Sequence, residues 1–186
     1  MILLALYLAF VLSNEDKQAL KLPLDILKEN TYAEDNDFSF YEDTSAFHIT
    51  LRKLCNDDTK HKEAINVMNI WNRLYAQGTI TVYADSLCQF NNSNNVIEWI
   101  GMSDIFPLYG IYQQIEQVSK ELKFPLIEEQ YQYTPHITIA YNIKYKNDFN
   151  RKFIPIPIEI KQMVLWAYDN KIKNVHLASI MHSVYV

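Results

Sequence analysis

The sequence predicts an α+β protein built by duplication. It would have two pseudo-symmetric lobes, two antiparallel sheets facing a central cleft, and helices on the outside. Three observations lead there. The His-Ile-Thr at His48, in "FHITLRKL" from Phe47, returns 88 residues later at His136, in "TPHITIAY" from Thr134, so it lies in a strand-like apolar run once in each half. Strand-like runs outnumber helical ones, and polar turns join them as hairpins. Only 3 Gly and 6 Pro occur in 186 residues, which leaves no room for linkers, so 1–186 reads as one domain of two interleaved lobes.

The opening "MILLALYLAFVL" is apolar enough for a secretory signal. It lacks a basic start and a small-residue cleavage site, and at about 12 residues it is too short to span a bilayer. It reads as a buried first strand. Ser13, with Asp16 three residues on, then caps a helix over "SNEDKQALKLPLDILKEN", which Pro23 kinks or divides. The acidic loop "YAEDNDFSF" leads to the first motif strand, Ala46 to Leu54. A helix follows in "NDDTKHKEAINVMNIWNRLYAQG", capped by Asp57 or Asp58 and ended by Gly78. Ala64, Met68, Trp71 and Tyr75 line its core stripe, with Val67 and Leu74 beside them.

The runs "TITVYADSLCQF" and "VIEWIGM" are two strands joined by the polar turn "NNSNN". A second helix starts near Pro107 and carries Leu108, Ile111, Tyr112, Ile115, Val118 and Leu122 on its apolar side. The second motif strand runs from Pro135 to Ile143. The end, "PIEIKQMVLWAYDNKIKNVHLASIMH", reads as a hairpin turning at "YDNK".

Bulk composition narrows the partners. A hydrophobic content of 49% with 21% charged residues describes a soluble globular chain. A net charge of −5 argues against a coat for long nucleic acid, which needs a basic stripe. The expected partner is a small nucleotide or short oligonucleotide. No long duplex and no membrane is expected, and the oligomeric state is left open. Cys55 and Cys88 form no CxxC pair and suit a reducing, cytoplasmic setting.

In a strand, residues i and i+2 share a face. His48, Thr50 and Arg52 would therefore face one way, and Phe47, Ile49 and Leu51 the other. In the second copy His136, Thr138 and Ala140 would oppose Ile137, Ile139 and Tyr141. If the two polar faces meet across a cleft, two imidazoles flank one phosphorus. One can take a proton from the attacking hydroxyl while the other protonates the leaving oxygen. The Thr50 and Thr138 hydroxyls can donate to the non-bridging oxygens. Such chemistry needs no metal and no cofactor. A single strand histidine is more often structural than catalytic; two copies in matching contexts favour chemistry.

Other candidates stand on one feature each. Arg52 could neutralise phosphate or form a surface salt bridge. Trp99 could stack on a base or pack in the core, and Tyr41 and Tyr133, in loops before the motif strands, could also stack. His61 sits on a charged helix start. His176 and His182 have no carboxylate or Cys at ligand spacing, so no zinc site is expected. The three alternating histidines of a histidine-triad hydrolase are absent.

With both motifs in view, the chain resembles the 2H phosphoesterase superfamily, which contains 2′-5′ RNA ligase-like proteins and cyclic phosphodiesterases. His48-Ile49-Thr50 and His136-Ile137-Thr138 match its two His-hydrophobic-Ser/Thr motifs, and Pro135 matches too. So do the opening "LLALYLAFVLSNEDKQAL" and the closing "QMVLWAYDN…VHLASI". The resemblance implies a metal-independent phosphodiesterase acting on 2′,3′-cyclic phosphates, 2′-5′ linkages, cyclic nucleotides or cyclic oligonucleotides. It implies His48 and His136 as the acid–base pair and Thr50 and Thr138 as phosphate holders. Members that process RNA ends often carry a basic residue shortly after the second motif, where this chain has Tyr141. The alternative is a nucleotide- or RNA-binding module of the same fold without turnover.

Overall fold

In a computed structural model of the chain, the described residues are 4–36, 38–76, 78–92, 95–127, 132–168 and 179–186. The first apolar run forms β1 (Ala5–Val11), with its leucines and Phe10 fully buried. Ser13 then closes a capping box. Its hydroxyl accepts from the Asp16 backbone N–H, and its own backbone N–H donates to the Asp16 carboxylate. The helix divides at Leu20 into α1 (Asn14–Ala19) and α2 (Lys21–Asn30), with Pro23 in the first turn of α2, where a missing N–H is harmless.

Two short strands, β2 (Thr31–Tyr32) and β3 (Phe40–Tyr41), precede the first motif strand β4 (His48–Cys55). Asp57 caps a one-turn 3-10 helix, Asp58–Lys60, and α3 (His61–Tyr75) continues from it. Ala64, Val67, Met68 and Trp71 are its buried residues, whereas Leu74 is 57% exposed, one position off the expected stripe. The helix stops at Tyr75 because Ala76 is extended; Gly78, with φ of 101°, lies in the loop beyond and is not the stop.

The long hairpin β5 (Ile80–Asn92) and β6 (Asn95–Ser103) leads to α4 (Phe106–Glu121), which has Pro107 in its first turn. Positions 93–94 of that hairpin's turn lie outside the described residues. The second motif strand β7 (Ile137–Tyr141) is shorter than expected, and β8 (Lys144–Tyr145) follows. The closing hairpin is β10 (Gln162–Tyr168) with β11 (Ser179–Tyr185); most of "YDNK" falls in 169–178, outside the described residues.

The two-residue strands β2, β3 and β8 were not foreseen, nor was β9 (Lys152–Ile160) as a strand of its own, since its end "PIEI" reads as part of the closing hairpin. β9 contains Pro155 and Pro157, which weaken a strand reading. It is tolerated because β9 is the edge of its sheet and pairs only with β5. Only Lys161 separates it from β10, so the chain leaves one sheet and enters the other there.

All strand pairings are antiparallel. A four-stranded sheet has the order β11-β10-β1-β4, and a five-stranded sheet the order β3-β7-β6-β5-β9. Each contains one motif strand. Apolar faces of both sheets and the buried faces of the helices share a hydrophobic core that includes Phe10, Phe47, Trp71, Ile100 and Ile137. The observed architecture is the two-sheet α+β fold expected from the repeat.

The two motif strands share an irregularity that simple alternation does not show. Ala9 lies opposite Thr50 and Leu8 opposite Arg52, so Leu51 is an extra residue in that ladder. Trp99 lies opposite Thr138 and Glu98 opposite Ala140, so Ile139 is extra in the other. Each motif is therefore followed by a one-residue bulge, which shifts the facing of what comes next. The burial pattern agrees. Positions 48, 50 and 53 are partly exposed while 49, 51 and 52 are buried; positions 136, 138 and 141 are partly exposed while 137, 139 and 140 are buried.

Candidate active site

His48 begins β4, and His136 immediately precedes β7. Each ring is anchored in the same way. Nδ1 of His48 donates to the Ala46 carbonyl at 2.8 Å, and Nδ1 of His136 to the Thr134 carbonyl at 2.7 Å. A carbonyl can only accept, so the neutral ring carries its hydrogen on Nδ1 and keeps a lone pair on Nε2.

Aromatic edges pack around both rings. His48 meets Trp166 edge-on at 4.6 Å. His136 meets Phe90 at 5.1 Å and Trp99 at 5.7 Å. Burial in this apolar setting disfavours the imidazolium. It pushes the pKa of His48 down to about 4, against the Ala46 hydrogen bond and with help from the nearby charges of His136 and Lys17. His136 is also lowered by burial, against its hydrogen bond to Thr134.

His48, Thr50, His136 and Thr138 line one pocket of about 290 Å³. Tyr7 and Trp166 form its wall on the four-stranded sheet, and Ile97 and Tyr141 on the five-stranded one. Glu42 adds a carboxylate. It is placed by its backbone N–H, which donates at 2.8 Å to the carbonyl of Ile139, the bulged residue.

The structure separates the other candidates from this pocket. Arg52 does not share the face of His48, because the Leu51 bulge intervenes. It is 4% exposed, and its guanidinium donates to the Tyr112 hydroxyl at 2.6 Å and the Ile127 carbonyl at 2.9 Å, with Glu116 at 3.2 Å. Tyr41 is not in a loop but in β3, where its hydroxyl bonds the Thr31 hydroxyl at 2.7 Å and Lys28 lies over its ring. Tyr133 stacks on Tyr112 at 4.6 Å instead of facing the cleft. Trp99 stacks on Phe90 at 4.6 Å and meets His136 edge-on at 5.7 Å. His61 bonds the Asp58 carbonyl, and His182 bonds Asn69; His176 lies outside the described residues. Among the described residues no three His, Cys, Asp or Glu side chains gather as a metal-ligand set.

Sequence reasoning missed Tyr7, Glu42, Ile97, Tyr141 and Trp166 as pocket residues. Tyr7 and Trp166 lie in strands that read as continuous apolar runs, so no polar alternation marked their face. Tyr141 was assigned to the opposite face because alternation ignores the bulge at Ile139. A larger cavity of about 490 Å³, lined by Trp71, Tyr75, Gly110 and Gln114 among others, has no histidine, carboxylate or cationic side chain among the described residues.

No protein-family model and no curated relative matches the sequence. Solved structures do match. E. coli LigT complexed with 3′-AMP superposes with a TM-score of 0.71 at 13% identity, covering 98% of each chain. A structure described as a phosphoesterase gives 0.72 at 13% identity, again covering 98% of each. The chain has the LigT fold. A Thermus thermophilus protein gives 0.69 at 14% identity, with 97% of each chain covered. At such identities the LigT fold is what the likeness establishes, and it is the fold that the resemblance to 2H phosphoesterases implied. No helix among the described residues is long and apolar enough to cross a membrane.

Proposed function

We propose that this protein is a metal-independent phosphodiesterase of the 2H kind, cleaving a cyclic nucleotide, a cyclic oligonucleotide or an RNA-derived 2′,3′-cyclic or 2′-5′ phosphodiester. The observation that carries the reading is the matched pair of imidazoles. Both are anchored through Nδ1 to a carbonyl two residues back, and both line one pocket with a threonine from the same strand. LigT supports the substrate class at the level of fold, being complexed with 3′-AMP in one structure and with ATP in another.

In this mechanism the two histidines act on opposite sides of the phosphorus. Nε2 of His48 takes a proton from the attacking water as the new P–O bond forms. The bond to the leaving oxygen breaks, and Nε2–H of His136 gives that oxygen its proton. The two rings then exchange their changed protonation with solvent. Thr50 and Thr138 donate their hydroxyl hydrogens to the non-bridging oxygens. His48 takes the base role because its pKa is driven down to about 4, which keeps its Nε2 lone pair free near neutrality. A bound phosphate anion favours the imidazolium at His136.

The test is a substrate panel read by chromatography: 2′,3′-cyclic and 3′,5′-cyclic mononucleotides, cyclic di- and trinucleotides, and 2′-5′ and 3′-5′ linear oligonucleotides. Turnover of at least one, surviving exhaustive EDTA treatment, is expected. Binding without turnover of any would establish the silent nucleotide-binding module instead. Loss of activity to EDTA with recovery on adding a divalent ion would overturn the acid–base assignment.

A further inference from the structure

The pocket is poor in positive charge for a site that receives phosphate. Among the described residues its lining includes the Glu42 carboxylate and no lysine or arginine. The bulges indicate where the missing cation lies. Three residues after Thr138 the bulge turns Tyr141 into the pocket, and three residues after Thr50 the equivalent position is Lys53. The matched burial patterns place Lys53 on the same face as His48 and Thr50.

The register fixes its neighbours. Lys53 is directly opposite Tyr7, and Tyr7 is directly opposite Trp166, so the three make one row across β4, β1 and β10. Trp166 and Tyr7 line the pocket, and the Lys53 ammonium lies 5.6 Å from the Tyr7 ring centroid. Among the described residues no carboxylate pairs with Lys53. Partial burial lowers its pKa below the usual lysine value. An ammonium held over an aromatic ring without a counter-ion is available to a bound anion.

Size decides which anion. At about 290 Å³ the pocket sits at the bottom of the usual ligand range of about 300–1,000 Å³, room for one nucleotide unit. Lys53 is not in its lining; it stands past Tyr7, about 10 Å along the strand from Thr50. Its ammonium leans across the sheet over Tyr7, which lines the pocket. We propose that Lys53 binds a second phosphate, adjacent to the one between the histidines, and so selects substrates at least two nucleotides long. This rests on the phosphodiesterase reading for the position of the reacting phosphate. Lys17, whose charge acts on His48, donates to the Ser45 carbonyl at 2.7 Å.

The experiment separates Lys53 from turnover. Calorimetry would give Kd for ApA 3′-phosphate and for the same compound with an uncharged methylphosphonate linkage, using the wild-type chain and Lys53→Met. Wild type is expected to prefer the charged linkage by about tenfold. Lys53→Met should bind both forms equally, and Lys53→Arg should keep the preference. In parallel, kcat/KM is measured for ApA 2′,3′-cyclic phosphate and for adenosine 2′,3′-cyclic phosphate. The dinucleotide-to-mononucleotide ratio should fall about tenfold in Lys53→Met. If the mutation weakened both linkages equally, or neither, or if no ligand bound, the proposal would be overturned. A linkage preference without turnover of either cyclic substrate would leave Lys53 its role and remove 2′,3′-cyclic phosphates from the substrate reading. Turnover with no linkage preference would do the reverse.

Discussion

Ala46 and Thr134 contribute carbonyls, and those carbonyls decide what His48 and His136 can do. Holding Nδ1–H leaves the Nε2 lone pair free, which is the nitrogen the proposed mechanism uses, and burial disfavours its protonation. His48→Ala and His136→Ala are each expected to lower kcat/KM on a confirmed substrate by about 10²–10⁴-fold. The double variant should be little worse than either, since the pair acts as a unit. A single variant with wild-type turnover would remove that histidine from the mechanism. The shifts also set the pH profile. The proposed mechanism needs His48 neutral and His136 protonated in the free protein, and both values lie below the ordinary 6.5, with His48 at about 4. The maximum of kcat/KM should therefore fall between about pH 4 and 6.5. An optimum above pH 7 would contradict the assignment. Stability carries the same signature. The unfolded chain binds a proton at His48 below about 6.5 and the folded chain only near 4, so stability drops as pH falls through that window. Denaturant melts should show a loss of about 2–3 kcal/mol, which His48→Gln removes.

At the scale of elements, the bulges at Leu51 and Ile139 determine which side chains enter the cleft. They turn Tyr141 in and send Arg52 toward α4, where it ties the first motif strand to Tyr112 and Glu116. Arg52 is thus a joint between β4 and α4. Arg52→Met is expected to cost about 3 kcal/mol, because the Tyr112 hydroxyl and the Ile127 carbonyl lose a buried charged donor, while Glu116 stays solvated. Tm should fall by roughly 6–12 °C, while KM of the folded enzyme stays within about twofold. A raised KM without a lower Tm would restore Arg52 as a phosphate ligand. Ser13 acts similarly for α1, the helix that carries Lys17 toward His48. Ser13→Ala should cost about 1 kcal/mol by leaving the Asp16 N–H without its cap, a change readable in the same melts.

At the scale of the molecule, the net charge of −5 and a pocket without lysine or arginine among the described residues favour compact ligands. Long single strands gain affinity by releasing counterions, at about 0.7 units of slope per neutralised phosphate. Two phosphates, one at the histidines and one at Lys53, give an expected slope of log K against log salt of about −1.4. Kd measured from 50 to 300 mM salt for a dinucleotide and for a 20-mer RNA should show this shallow slope for both. A steep slope with tighter binding of the 20-mer would mean a basic surface beyond the cleft.

The sequence alone determined the repeat, most helices and strands, and the four motif residues. These are encoded locally: a tripeptide, a period of two or of 3.6, a capping pair at Ser13 and Asp16. What it could not supply depends on contacts between distant segments. No local pattern marks the extra residue at Leu51 or Ile139, because a bulge exists only against the partner strand that lacks it. Alternation therefore put Arg52 in the cleft and Tyr141 outside, and the tertiary structure exchanged their places. β9 was hidden for a related reason, since Pro155 and Pro157 are acceptable only where a sheet has an edge. The pairing of His48 with His136 is decided last. It comes from two sheets, each assembled from remote parts of the chain, that bring both motif strands to one pocket.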